Sequence, residues 1–416
     1  MFRFADSEIV GSDLFGGVGG GSSGRGPKAS GGQSGGPEDD SGSLAGDSSS
    51  SGEGTDAPLR RHGIEFDRTN EVTPGETIED REGTLNLLQP GTHVLHEHKR
   101  VVGSGRVGIV GAGDPGDVVL KPAVDTWTYP WVFRGDRDVL IGNFTLNQRD
   151  DRRSGIGLKA MVGDGLRVHD LRVRGTMTDE AHCATPGRLN NAAIALGVTD
   201  PDGSGVYADC DYRVHAPVED YPTGTVAHYA GPSHRGTLRV ERATVVGSAM
   251  HSWYASRSNG EVHVRGGLFK NNSNTNLRLS RDSTIKNATI VIDAPPSKFV
   301  APNGEAQNVR GIRWERAKWN GSSGGVIEDC RLVCRSPVHG QGLVAVDGSC
   351  GELTIRDCEF VNTTEDYRNI VVEEVGSNPR DIEPPEEDWV RVKGCSLSGG
   401  GGRPLVTDQR GSADVS

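Results

Sequence analysis

Along residues 139–397 one eight-residue pattern returns nine times: apolar, any, apolar, any, then Asp, Asn, Gly or Arg, a small or apolar residue, any, apolar. Leu166-Arg-Val-His-Asp-Leu-Arg-Val173, Leu238-Arg-Val-Glu-Arg-Ala-Thr-Val245 and Leu353-Thr-Ile-Arg-Asp-Cys-Glu-Phe360 show it clearly. Successive copies start 21 to 42 residues apart, a short unit carrying insertions of variable length, which is how a solenoid reads in sequence. Within each copy apolar and polar positions alternate, as in a strand half-buried on a core, and position five supplies corner residues. Shorter apolar runs precede most copies, among them Ala193-Ile-Ala-Leu196, Asn276-Leu-Arg-Leu279, Gly311-Ile-Arg-Trp314 and Leu343-Val-Ala-Val346. They predict a second strand in every coil. Two registers repeating together predict an all-β, single-stranded parallel β-helix in which each strand pairs with its copies above and below.

Position six of the pattern forms one inward column of small or apolar residues: Phe144, Leu171, Cys210, Ala243, Gly267, Ala288, Cys330, Cys358 and Cys395. Four of the seven cysteines fall in it and read as small core hydrophobes. Cys330 and Cys334 lack the second pair that a zinc site needs, and an odd cysteine count argues against a disulfide framework. Cys183, in an insertion, is the one candidate for a reactive thiol.

Composition divides the chain. Residues 1–60 are mostly Gly, Ser and Asp, too poor in apolar side chains to offset the entropy of ordering, and read as a disordered tether with a docking peptide at 1–15 as an alternative. A lead-in over 61–82, the solenoid over 83–400 and a flexible tail over 401–416 complete the expected layout. No apolar run is long enough for a membrane span or a signal-peptide core, which points to the cytoplasm or to release within a virus particle. The net charge of −12 speaks against nonspecific binding to nucleic acid. Arg outnumbers Lys 36 to nine, which together with the acidic balance suggests a high-salt organism.

The segment with Leu88-Gln-Pro-Gly-Thr92, Val107-Gly-Ile-Val-Gly-Ala-Gly113 and Val118-Val-Leu-Lys-Pro122, taken with the repeated Asp-Cys corners, resembles the entry coils of the pectate-lyase-like right-handed β-helix superfamily. Trp253-Tyr-Ala-Ser-Arg-Ser-Asn-Gly260 to Gly266-Gly-Leu-Phe-Lys-Asn-Asn272 looks like β-helix proteins of haloarchaea and their viruses or proviruses. The resemblance spans about residues 80 to 400. It implies a right-handed solenoid, and the superfamily's membership leaves lyase, hydrolase, epimerase, tail spike and non-catalytic roles open. Trimers, calcium for a lyase, and virion proteins as partners of the N-terminus belong to the same analogy.

Three insertions, over 175–191, 213–235 and 294–309, leave the coil at the same corner and are expected to wall a groove over the second strand. There the alternation turns Tyr254, Arg278 and Arg313 outward, with His251 beside them. A phenol and two guanidiniums suit a sugar bearing carboxylate or sulfate. Acid and base candidates for catalysis come from the insertions and the strand beside them: Asp179, Glu180, His182, Asp211, His215 and Asp220. Asp209 shares the corner position of Asn143, Asp170, Asn287, Asp329 and Asp357, so a turn role accounts for it. A run of outward Arg167, His169, Arg239, His263, Arg265, Lys286, Arg356, Arg391 and Lys393 reads either as ordinary solvation or as a basic stripe for an acidic partner. The expected function is a glycan-binding recognition protein, a tail-spike or fibre-like virion component of a haloarchaeal virus. The alternative is a polysaccharide lyase or glycoside hydrolase acting on an acidic polysaccharide, with no resident cofactor beyond the calcium noted for a lyase.

Overall fold

Position five of the repeat is where the chain bends. In the computed structural model Asn143, Asp170, Asp209, Arg242, Asn287, Asp329 and Asp357 all take φ between 49° and 57°, and Gly266 and Gly394 take 68° and 63°. Asn, Asp and Gly tolerate this left-handed conformation, which explains their hold on the position. Arg242 is the exception, and its guanidinium forks onto the Asp209 carboxylate of the preceding corner at 2.7 Å through both Nε and Nη2. The eight residues expected as one strand are therefore two strands joined by a corner, as in Leu353–Arg356 and Glu359–Asn362.

The structure describes residues 63–416 apart from 97–98, 103–104, 125–126, 149–154, 177–191, 217, 219–225, 302, 316–323, 376–388 and 402–403. Each coil runs through a leading strand, the corner, a corner strand, and a return strand that feeds the next leading strand. Leading and return strands form two columns of one 22-stranded ladder, linked by the long strands Trp131–Gly142 and Leu158–His169, and the corner strands form an 11-stranded ladder. Pairing is parallel and in step from coil to coil, as with Val326↔Thr354 and Leu332↔Phe360. The molecule is a parallel β-helix.

The ladders extend past both expected ends. Arg68–Val72, within the expected lead-in, pairs with Thr84–Leu88. Val406–Asp408 and Ala413–Val415, where a flexible tail is expected, add a return and a leading strand. Val226–Tyr229, inside the expected 213–235 insertion, is also a return strand. Its inward position carries His228, so the apolar alternation that marks the other return strands is broken there.

The position-six column is interior, and Cys210, Cys330 and Cys358 are buried in it while Cys395 is half-buried at the last corner. Each thiol donates back across its corner, to the carbonyls of Ala208, Glu328, Arg356 and Lys393 at 3.1, 3.2, 3.2 and 3.6 Å. Small size and a weak S–H donor both suit the place. Cys183 lies outside the described residues. The outward row of the leading sheet mixes the two signs: Glu241, Arg265, Lys286, Glu328 and Arg356 stand in register, and Glu328 takes both Lys286 at 2.8 Å and Arg356 at 2.5 Å. Glu241 and Glu328 thus stand among its basic residues. No helix among the described residues is long and apolar enough to cross a membrane.

Candidate functional site

The outer face of the return sheet is assembled by register. Tyr229, Tyr254, Arg278, Arg313, Ala345 and Val371 stack on successive coils and point off the core, while His228, Trp253, Leu277, Ile312, Val344 and Ile370 stack inward beside them. Beyond the corner strands Thr176 bridges to His215, and Lys298, on the short 3-10 turn Pro296–Phe299, donates to the Ala216 carbonyl at 3.0 Å, while residues 177–191 of the first expected insertion lie outside the described residues.

Tyr254, Arg278 and Arg313 face outward as expected, yet they are only 2%, 8% and 5% exposed, and His251 only 1%. Their partners are one another. The Arg278 guanidinium stacks 4.4 Å over the Tyr254 ring and forks onto Glu315, with Nε and Nη2 each 2.9 Å from a carboxylate oxygen. Ser256 donates to the same carboxylate at 2.6 Å. Arg313 reaches three carboxylates: Asp347 at 2.7 Å, Glu373 at 2.5 Å and Glu315 at 3.5 Å. Burial depresses the Arg313 pKa, but Glu373, Asp347 and Glu315 more than reverse this, and it stands above its ordinary value.

Two further groups in this cluster stand out. Arg278 Nη1 can only donate, so at 3.3 Å it makes His251 Nε2 an acceptor and leaves the ring proton on Nδ1. That buried Nδ1 has no hydrogen-bond partner among the described residues. Burial, and then the charges of Arg278 and Arg310, hold the ring neutral by pushing its pKa well down. Arg310, half-buried at the start of the return strand Arg310–Trp314, hydrogen-bonds among the described residues to neutral oxygens: Asn308 O at 3.1 Å, Asn274 Oδ1 at 3.3 Å and Gln341 Oε1. Burial, with Arg313 and Arg278 adding to it, brings its pKa down to about 9, so it remains charged at neutral pH.

The catalytic candidates fall differently. Asp179, Glu180, His182 and Asp220 lie outside the described residues. Asp211 is on the corner sheet, ion-paired to Arg174 at 2.8 Å and Arg213 at 2.9 Å, and His215 is exposed beside it. Asp209 turns its corner and pairs with Arg242. Arg310 and the acids Glu315, Asp347 and Glu373 were not expected. Their signal was present, because an acid follows three return strands in succession: Trp314-Glu315, Val346-Asp347 and Val372-Glu373.

These three carboxylates are calcium-type donors. A calcium ion does not fit among them, because Arg313 already takes their oxygens, and no group of three or more His, Cys, Asp or Glu suited to a metal occurs among the described residues.

Directly behind this face, inside the core, His228 is satisfied at both nitrogens. Nδ1 donates to the Ser252 carbonyl at 2.9 Å and Nε2 accepts from the Tyr207 hydroxyl at 2.7 Å. Its ring stacks on Trp253 with centroids 4.6 Å apart and planes 8° from parallel. Burial lowers its pKa to about 3, against the opposing effect of the Ser252 hydrogen bond.

No protein-family model matches the chain, and no curated protein matches it in sequence. Solved structures do align with it. The A-module of mannuronan C-5 epimerase AlgE4 from Azotobacter vinelandii aligns over 80% of this chain and 91% of its own, at 10% identity and a TM-score of 0.45. Pectate lyase Pel9A aligns over 85% and 80%, at 12% identity and 0.42. ORF18 of Geobacillus virus E2 aligns over 83% and 56%, at 10% identity and 0.34.

Proposed function

We propose that the outer face of the return sheet takes an acidic polysaccharide, and that the chain acts on it by moving a proton next to the sugar carboxylate, as a lyase or epimerase does. Arg310 carries this reading: it is a half-buried guanidinium whose hydrogen bonds go to neutral oxygens and which Glu373 and Glu315 reach only through space, so a ligand carboxylate can pair with it directly. The His251 Nδ1 proton is a second unmet donor in the same cluster. Pairing a uronate carboxylate with a guanidinium acidifies the carbon-bound proton beside it, and Tyr254 and His251 are the local groups able to exchange protons. Hydrolysis needs one free carboxylic acid and one free carboxylate across the bond. Glu315, Asp347 and Glu373 are instead tied to arginines.

Burial of Tyr254 and Arg278 favours a second reading, in which the face holds a glycan without changing it, as a virion-attached fibre of a haloarchaeal virus would. One experiment separates the two. The purified chain is incubated with uronate polymers and with neutral polymers in molar salt, following retention, chain length and the absorbance of unsaturated sugar. Retention of uronate polymers with new absorbance or altered C5 configuration supports the enzyme, and retention alone supports the fibre. New reducing ends without unsaturation would establish a hydrolase, and failure to retain any acidic polymer would remove both proposals.

A further inference from the structure

The interior column at the corner changes character along the solenoid. The corner strands pair Thr244↔Leu268, Leu268↔Thr289, Thr289↔Arg331, Arg331↔Glu359 and Glu359↔Ser396. The residues just before them, Ala243, Gly267, Ala288, Cys330, Cys358 and Cys395, therefore occupy one place on successive coils. The last three are contiguous thiols, whereas Cys210 is separated from them by the coils of Ala243, Gly267 and Ala288. Alanine and glycine fill the same place on those coils, so packing alone does not call for a run of sulfur.

Register brings these thiols within reach of one another. Neighbouring strands lie ~4.8 Å apart, inside the ~4.4–6.8 Å Cα separation that a disulfide spans. Each Sγ leans towards a carbonyl of the coil before it: Cys330 towards Ile285 at 3.6 Å, Cys358 towards Ile327 at 3.9 Å and Cys395 towards Ile355 at 3.7 Å. Cys395 thus overhangs the coil that carries Cys358, and the two thiols act on each other's ionisation. Access separates them. Cys330 and Cys358 are buried, while Cys395 is half-buried at the end of the corner sheet, where no described strand pairs with the far side of Ser396–Ser398.

We propose that Cys395 and Cys358 form an oxidative modification site, a dithiol that hydrogen peroxide closes to a disulfide by way of Cys395, stapling the last coil to the one before it. In the first step Cys395 loses its proton to solvent and attacks the peroxide; the S–O bond forms as the O–O bond breaks, and the departing hydroxide is protonated to water. Cys358 then loses its proton and attacks the sulfenic sulfur; the S–S bond forms, the S–O bond breaks, and a second water leaves. Two thiols are oxidised and one peroxide is reduced to two waters. The neighbouring Cys358 thiol and burial push the Cys395 pKa up, and the Cys330 thiol and burial, opposed by Cys395, push that of Cys358 up to about 12. Thiolate is therefore scarce at neutral pH, and closure is slow there and faster in alkali. The site lies at the end of the scaffold and is independent of the polysaccharide reading.

The test uses the full chain carrying Cys183→Ser, so that this insertion thiol takes no part. The folded protein is treated with hydrogen peroxide at pH 7 and pH 9, free thiols are counted, and disulfide-linked peptides are mapped by mass spectrometry before and after dithiothreitol. The expected result is the loss of two thiols, one linked pair joining Cys358 to Cys395, closure at least about tenfold faster at pH 9, and return of both thiols on reduction. Stapling is expected to slow hydrogen exchange of the Val390–Lys393 amides about tenfold. With Cys395→Ser added, Cys358 is expected to stay reduced at the same dose. If that variant does not fold, the peptide map of the parent chain decides by itself. A parent chain that keeps all its thiols at a dose that oxidises free glutathione would overturn the proposal. So would a linked pair of Cys330 with Cys358, overoxidation of Cys395 without pairing, or a Cys358–Cys395 bond that forms only in urea.

Discussion

Trp253 and Tyr254 are consecutive residues of one short strand, and the return sheet turns the first into the core and the second out of it. Both are almost fully buried, and both sit among polar groups. On the Trp253 side the imidazole of His228 is closed off, with one nitrogen donating and the other accepting. On the Tyr254 side the imidazole of His251 has one nitrogen on Arg278 and the other without a partner among the described residues, and the hydrogen bonds of Arg310 nearby go to neutral oxygens, with Glu373 and Glu315 acting on its charge from a distance. The two imidazoles are equally buried and unequally satisfied. A polar group sealed in the core costs ~1–3 kcal/mol if left unpaired, a cost the inner side also bears at Trp253 Nε1 and the Tyr212 hydroxyl, which have no hydrogen-bond partner among the described residues.

The comparison breaks most visibly on the inside. Trp253→Ala removes a fully buried ring stacked on His228, and a loss of about 3–5 kcal/mol is expected in urea unfolding, enough to threaten the coil. The His228 effect is next and is read through pH. Its folded pKa of about 3 lies below the unfolded value of ~6.5, so the unfolded chain takes up the proton first as pH falls. Stability is therefore full above about pH 6.5 and declines as pH drops toward 3, by on the order of 4 kcal/mol for this residue alone. His234 and His251, also depressed by burial, act in the same direction. His228→Gln should flatten this part of a melting-temperature profile, and an unchanged acid slope would remove His228 from the account.

Outside, the expected effects shift from folding to binding. Glu315→Gln keeps the shape but strands part of the charge on Arg278 and Arg313, at about 1–3 kcal/mol of stability by thermal melting. Arg310→Gln should cost under about 1 kcal/mol of stability while weakening retention of uronate polymers roughly tenfold or more and leaving neutral polymers alone. An equal loss for both polymers would mean that Arg310 shapes the face rather than reads charge. Smallest is Asp209→Asn, which tolerates the same left-handed corner and gives up only an exposed pair with Arg242, so less than about 1 kcal/mol is expected.

The β-helix was legible because its signal repeats: a left-handed corner needs Asn, Asp or Gly, and an interior column needs small side chains, coil after coil. Single departures from the repeat were harder to read. The Val226–Tyr229 strand was missed because a histidine occupies an apolar position, and only its contacts with Tyr207 and Ser252 make that position habitable. Alternation also placed Tyr254, Arg278 and Arg313 on the outer face, but alternation distinguishes core from non-core and not open from covered. Glu315 lies two residues from Arg313, but the acids that complete its neutralisation come from later coils, 34 and 60 residues away. The leading-sheet charges show the same limit, since reading only the basic residues suggested a stripe where the register interleaves Glu241 and Glu328.

Registers such as Thr275↔Arg310 and Gly325↔Leu353 pair each coil with the one synthesised just before it. A growing chain consequently meets its template as soon as the next strand emerges, and insertions between strands delay a docking event without changing which edge it docks to. Assembly can advance like a zipper from one coil to the next, with each newly formed edge serving briefly as the mould for its successor.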